Sequence, residues 1–197
     1  QAISFSIITT GFAGMIFDLM IIFTFQVLYG YVFSWIGILV ASFMAGAASG
    51  ASVATLAMAR MKNCFRLFIM IELAIICFSF GFPLVFFTLH TGLDTSGFVL
   101  FRMMILFISF LSGFLTGAQF PLANELYLRN SKSLSSTAGL LYASDLLGGW
   151  FGGIAGAVLL LPVLGLTGTC ISVGLLKLVS FIVLVTQADR QSLLASE

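Results

Sequence analysis

Six long apolar segments divide the chain, and they constrain its fold more than any other feature of the sequence. They span roughly 3–29, 31–59, 67–90, 97–122, 138–161 and 166–187. A helix needs about 20 largely apolar residues to cross a bilayer, and each segment reaches that length. Because lipid offers no hydrogen-bond partners, each segment must satisfy its own backbone, which predicts helices. We therefore expect one all-α integral membrane domain over 1–197, a bundle of six transmembrane helices.

Composition supports the same class and narrows the function. Sixty per cent of the residues are hydrophobic and 8% are charged, whereas soluble domains carry roughly 25% charged residues. The net charge of +1 provides no basic surface, so we expect no nucleic-acid partner. The sequence has neither a P-loop nor a G-x-S-x-G nucleophile elbow. We therefore expect that this chain alone is not an enzyme.

Basic residues lie in alternate connections between the apolar segments. Lys and Arg occur in the connections 59–66 and 128–133 and in the tail 187–192, whereas the three opposite connections contain neither. By the positive-inside rule, this pattern predicts that both termini face the cytoplasm.

Small residues form faces on three of the predicted helices. A helix advances about 100° per residue, so the glycines of segment 138–161 share one face with Asp145. Two other segments each carry a G-x-x-x-G pair, and small faces allow helix backbones to approach closely in lipid. We interpret these faces as helix-packing surfaces, with sliding of the helices during a transport cycle as the alternative. The glycines are Gly46, Gly50, Gly113, Gly117, Gly149, Gly152 and Gly156.

Ionisable side chains within the apolar segments mark candidate functional sites, because such groups are costly in a bilayer. One hypothesis is internal neutralisation, in which Asp18 or Asp145 pairs with Lys177 and any remaining acid is protonated. The other is a site for a proton or a small cationic, polyamine-like substrate, formed by the acids. The candidate residues are Asp18, Gln26, Glu72, Asp145 and Lys177, and Arg102 lies near a predicted helix end, from which it can reach the interface.

Residues that hold metals and redox cofactors are scarce. The three cysteines lie far apart without a C-x-x-C pair, which predicts neither a disulfide framework nor a zinc site. His90 is the only histidine, so this chain cannot form a bis-histidine haem site. A single histidine can ligate a pigment or a mixed His/Met haem, but we expect an interfacial His90 and no cofactor.

Three stretches, 25–51, 114–124 and 138–166, together resemble the membrane region of bacterial fused spermidine-synthase-like proteins. In that family, a major-facilitator-like helical region is joined to an aminopropyltransferase-like domain. Asp18 also fits the family pattern. The resemblance implies one half of a major-facilitator fold in a bacterial cytoplasmic membrane. The nucleotide site and amine-binding acids of the aminopropyltransferase domain do not occur in these residues.

Two functions follow as expectations. The first is a non-catalytic membrane subunit that anchors or scaffolds a soluble domain or a larger membrane complex, with other subunits or a second copy as partners. The alternative is a transporter-like half that binds a small cation at the intramembrane acids. A polar cavity lined by Asp18 and Asp145 favours the alternative, whereas a dry, helix-filled centre favours the scaffold. A membrane enzyme is the third hypothesis.

Overall fold

The computed structural model describes residues 2–30, 33–60, 63–90, 97–128 and 134–194, which are helical almost throughout. The helices are α1 (Ala2–Tyr29), α2 (Phe33–Arg60), α3 (Cys64–His90), α4 (Gly97–Leu128), α5 (Leu134–Ile154) and α6 (Gly165–Leu194), with a π-helical segment (Ala155–Leu164) between α5 and α6. Five stretches are long and apolar enough to cross a membrane, the last of which contains α5, the π-helical segment and α6. The prediction of an all-helical, membrane-type chain is therefore confirmed.

The break between the π-helical segment and α6 occurs at Gly165. This residue has a φ of 66°, a left-handed conformation that glycine adopts without steric cost. Its N–H donates to the carbonyl of Leu161, and Pro162 within the segment has no N–H to donate. Helical structure therefore continues past 161, where the sequence analysis ended the fifth segment.

Contacts with α1 establish the directions of α5 and α6. Thr10 of α1 contacts Lys177 of α6, whereas Met20, later in α1, contacts Cys170, which comes earlier in α6. These two helices are therefore antiparallel. Glycines of α5 meet successive carbonyls of α1 in the same order, so α5 is parallel to α1. It follows that α5 and α6 run in opposite directions and that the chain reverses at Gly165.

The first helix lies at the centre of the bundle. It packs against α4, α5 and α6. In its most apolar 18-residue stretch, 56% of the residues are buried, compared with 17% in the corresponding stretch of α2. Ile16, Phe17 and Met20 are almost completely enclosed in the larger hydrophobic cluster. Side chains on different faces of α1 can therefore reach different parts of the protein.

The second and fourth helices touch backbone to backbone. A Cβ atom added at Gly46 or Gly50 would collide with backbone carbonyls of α4, and one added at Gly113 or Gly117 would collide with those of α2. Because any other residue carries a Cβ, the close approach of the α2 and α4 backbones requires glycine at these four positions.

The fifth helix also packs on α1 through glycines that meet backbone carbonyls. A Cβ at Gly152 would meet the carbonyl of Phe12, and one at Gly11 would meet the carbonyl of Asp145. By contrast, a Cβ at Gly156 would meet only side chains of α1, and one at Gly149 would come closest to the Met15 side chain, at 3.3 Å.

These two glycine interfaces are equivalent. The same number of residues separates Gly11 of α1 from Gly113 of α4 and Gly46 of α2 from Gly148 of α5. These glycines therefore occupy matching positions in the two halves of the chain. The pairing of α1 with α6 likewise has its counterpart in that of α4 with α3. Helices α1–α3 and α4–α6 are therefore two structural repeats. Since α4 runs antiparallel to α1, the second repeat is inverted relative to the first.

The fourth helix is longer than the sequence analysis expected. It continues through Pro121 to Leu128 rather than ending at 122. Proline is tolerated in membrane helices where neighbouring groups satisfy the freed backbone, and Leu122 and Ala123 are fully buried by packing. The sixth helix also extends beyond 187, to Leu194.

The residues that predict membrane orientation lie partly beyond the described ranges. Arg60 ends α2 and Arg66 lies in the first turn of α3, so these two basic residues share one end of the bundle. Lys62, Arg129 and Lys132 fall outside the described residues.

We predict that Gly46→Val lowers the melting temperature of the detergent-solubilised protein, because overpacking costs about 1–3 kcal/mol. Gly37→Val is the matched control, since nothing lies within 4 Å of a Cβ added to Gly37 of the same helix. Fluorescence-monitored thermal unfolding compares the two variants. Equal melting temperatures would contradict the close approach of α2 and α4.

Candidate functional site

A buried ion pair lies between α3 and α6. Lys177 Nζ is 2.9 Å from Glu72 Oε2, and neither side chain is exposed. Removing two charges from water is costly, and attraction between them compensates only when further hydrogen bonds are made. The surroundings of the pair therefore decide whether it can exist at this depth.

Polar side chains from α1 and α4 supply those hydrogen bonds. Lys177 Nζ donates to Thr10 Oγ1 at 2.6 Å and to Gln119 Oε1 at 3.4 Å. Ser6 Oγ donates to Glu72 Oε2 at 3.2 Å, and Gln119 Nε2 donates to the same oxygen. Thr10 and Gln119 also contact each other. These five side chains, which we call the central network, join α1, α3, α4 and α6.

The partner of Lys177 differs from the sequence-based expectation. Asp18 or Asp145 was expected, but Glu72 forms the pair. The physical reason is packing. Lys177 meets α1 at Thr10, more than two turns before Asp18, and α5 packs mainly on α1 rather than on α6, which keeps Asp145 away from Lys177. Internal neutralisation therefore involves one acid, and it leaves Asp18 and Asp145 outside the pair.

A groove of about 600 Å³ lies between the α1–α5 pair and the α2–α4 pair. Its lining is mainly apolar, and the polar side chains among the lining residues are Thr10, Thr116 and Asp145. The larger apolar side chains that line it are Ile7, Met15, Phe43, Met44, Phe120, Leu146, Trp150 and Ile154. The groove thus combines a hydrophobic surface with one carboxylate.

Asp145 faces α1 across the glycine interface. Its side chain is half-buried, and its Oδ1 would lie 2.8 Å from a Cβ added at Gly11. The absence of a side chain at Gly11 therefore makes room for the carboxylate. Within the described part of the chain, Asp145 forms no ion pair with a lysine or arginine.

Asp18 lies beyond the groove on the same face of α1. Gly11, Gly14 and Asp18 follow one another at helical spacing, and the first two line the groove while Asp18 does not. Asp18 Oδ1 is buried and accepts no hydrogen bond from the described residues. Gln26 is in the last two turns of α1, about 24 Å along the axis from Thr10, so it is remote from the central network.

Two other candidates lie away from this region. The Arg102 guanidinium carbon is 5.1 Å from the centroid of the Trp35 ring, a cation–π distance that connects the N-terminal parts of α4 and α2. His90 ends α3, and its side chain lies outside the described residues. Among the described residues, no three His, Cys, Asp or Glu side chains form a group that could hold a metal ion.

Ser6, Thr10 and Gln119 are the functional candidates that the sequence analysis missed. Serine and threonine are common in membrane helices, where their hydroxyls can bond to their own backbone, so they give a weak signal. Gln119 gives a stronger signal, because its amide lies within a long apolar segment and needs a partner. Thr10 has a further property, since it both lines the groove and accepts a hydrogen bond from Lys177.

Comparisons of the chain with protein-family models, curated proteins and solved structures gave no match. The resemblance to spermidine-synthase-like membrane regions therefore stays a prediction from sequence. Any statement about function depends on the central network and the groove themselves.

We predict that Glu72→Gln and Lys177→Met each destabilise the folded protein by about 3–5 kcal/mol, because each leaves one buried charge without its partner. The double variant should lose much less free energy of unfolding than the two single variants lose together. Reversible unfolding in mixed micelles with increasing dodecyl sulfate measures the coupling.

A second cycle, combining Glu72→Gln with Asp18→Asn, is the control. Distant sites without shared partners give additive effects, so we expect no coupling in this cycle. Additive costs for Glu72 and Lys177 would contradict the ion pair.

Proposed function

We propose that this chain is an integral membrane module that binds a small cation in the groove, as one half of a transporter-like assembly. The observation that carries the proposal is the carboxylate of Asp145, which lines a largely apolar groove without a cationic partner among the described residues. An ionisable group at membrane depth is a functional hypothesis by default, because it is costly to maintain there.

The central network strengthens this interpretation. Glu72 already neutralises Lys177 and both are completely enclosed, so the buried lysine is engaged elsewhere and does not serve Asp145. A cationic ligand would lower the cost of an ionised carboxylate at this position. The groove therefore has both the space and the charge for a cation.

The arrangement of the repeats supports a transporter-like architecture. Inverted repeats are common in secondary transporters, whose substrate sites lie where the repeats meet. The groove lies between α1 and α2 of the first repeat and α4 and α5 of the second. We propose that α5 and α6 cross the membrane separately, giving six crossings and one half of a major-facilitator-like fold. Both termini would then face the cytoplasm of a bacterial cell.

Thr10 offers a physical connection between the groove and the rest of the bundle. Its hydroxyl is held by Lys177 on one side of α1, and its side chain also lines the groove. A ligand that displaces Thr10 would therefore disturb the central network, which joins four helices. Movement of the helices along their glycine interfaces would provide the response.

A non-catalytic anchoring subunit is the second candidate. The observation that favours it is the closed central network, in which opposite charges neutralise each other inside a packed bundle. Such a centre needs no ligand. The two candidates differ in one respect that can be measured, namely whether Asp145 binds a cation.

We predict that the protein in phosphatidylcholine nanodiscs binds a radiolabelled cation, tested with tetraphenylphosphonium and with spermidine, and that Asp145→Asn weakens binding. Loss of a charged partner in a desolvated site costs about 2 kcal/mol or more, so affinity should fall about thirty-fold. Equilibrium binding by scintillation proximity provides the measurement.

Glu125→Gln is the control, because it removes a carboxylate of α4 that does not line the groove. If neither cation binds in a manner that depends on Asp145, the transporter-like proposal fails. The anchoring subunit would then be the better account.

A further inference from the structure

We infer that the ligand of the groove is an amphipathic monocation, a single protonated amine on a hydrocarbon body, rather than a polyamine. This inference rests on the proposed function, because it names the class of cation that the Asp145 site would take. Three properties of the groove lead to it: the number of its charges, their placement and the character of its walls.

The groove offers one negative charge. Asp145 is the acid among its lining residues, and the other polar side chains there are the hydroxyls of Thr10 and Thr116. A polyamine such as spermidine carries three ammonium groups, and two of these would lie against apolar walls without a counter-charge. Burying an unpaired charge is strongly unfavourable. A ligand with a single ammonium group avoids that cost.

The inverted repeats give the groove two walls of different chemistry. Gly113 packs against the carbonyl of Phe43 as Gly11 packs against the carbonyl of Asp145, so Phe43 and Asp145 occupy equivalent positions in the two repeats. Both line the groove, one from α2 and the other from α5. A nearly symmetric framework thus presents a phenyl ring on one wall and a carboxylate on the other. This placement matches a molecule with a charged end and an apolar end.

The size and walls of the groove fit the same class. Its volume of about 600 Å³ lies within the ~300–1,000 Å³ typical of small-molecule sites. Phe120 and Trp150 add aromatic surface, which favours both hydrocarbon and ammonium groups. Met15, Met44 and Trp150 line the groove and are also exposed in the described bundle, so the groove is open at the surface of the bundle. A free amphipathic amine can therefore enter it from outside.

Tryptophan fluorescence can test this inference directly. The chain has two tryptophans, and Trp35→Phe leaves Trp150 in the groove as the single reporter while keeping a ring beside Arg102. The probe is undecylamine with a terminal bromine, which quenches nearby indole. The matched neutral probe is the corresponding brominated alcohol. Both are added to the Trp35→Phe protein in phosphatidylcholine nanodiscs, with spermidine as competitor.

We expect the amine to quench Trp150 at a concentration about ten-fold or more below that of the alcohol, because only the amine pairs with Asp145. Asp145→Asn should remove the difference between the probes, and Asp145→Glu, which keeps the charge, should retain it. Phe43→Ala should weaken quenching by both probes, because the apolar wall is lost. Spermidine should not displace the amine.

Other outcomes overturn the inference in distinguishable ways. If spermidine displaces the amine as effectively as unlabelled undecylamine, the ligand class is wrong while the cation site of the proposed function stands. If the amine and alcohol quench alike with and without Asp145, the groove holds only hydrocarbon chains, and both the inference and the proposed function fail. If phosphatidylethanolamine nanodiscs abolish quenching by the amine, a lipid headgroup occupies the site and the assignment to a free amine is wrong.

Discussion

The ion pair between Glu72 and Lys177 is the interaction on which the rest of the bundle depends. Two full charges are enclosed with no exposed surface, and hydrogen bonds from neighbouring groups offset the cost of burying them. Ser6, Thr10 and Gln119 supply such bonds to the Lys177 ammonium and to Glu72 Oε2 from α1 and α4, whereas Glu72 Oε1 accepts no hydrogen bond from the described residues. The arrangement therefore requires four helices to meet at one point with their registers matched. Hydrophobic packing alone does not impose such a requirement in lipid, where apolar side chains are equally well solvated by the bilayer.

Glycine contacts provide the second constraint, and they place the candidate site. The α1–α5 and α2–α4 pairs each form through backbone contact at glycine, in equivalent positions of two inverted repeats. These pairs are the two walls of the groove. Asp145 lies on one wall where Gly11 leaves room for it, and Phe43 takes the corresponding place on the other. The same small residues that allow close packing thus shape a cavity with one charged side.

Much of the fold was predictable from individual segments, whereas the site depended on which helices are neighbours. Segment length and hydropathy predicted the helices, and helical spacing placed Asp145 on a face with glycines, where the structure also puts it. Pairing of Lys177 with Glu72 was not predicted, because periodicity describes the faces of one helix and contains no information about the adjacent helix. Thr10 was missed because a threonine in a membrane helix gives a weak signal until its neighbour on another helix is known. The end of α4 was placed at 122, where the apolar segment ends, although buried packing carries the helix past this point to Leu128.

Solid-state NMR on proteoliposomes can test the central ion pair most directly, with ¹⁵N in the lysine amines and ¹³C in the glutamate carboxyl groups. The chain contains three lysines, so each amine signal can be followed separately. Our account predicts strong dipolar dephasing of one lysine amine by a carboxyl carbon, and its disappearance in Glu72→Gln. Absence of such a contact, or its persistence in the Glu72→Gln protein, would contradict the network that joins α1, α3, α4 and α6.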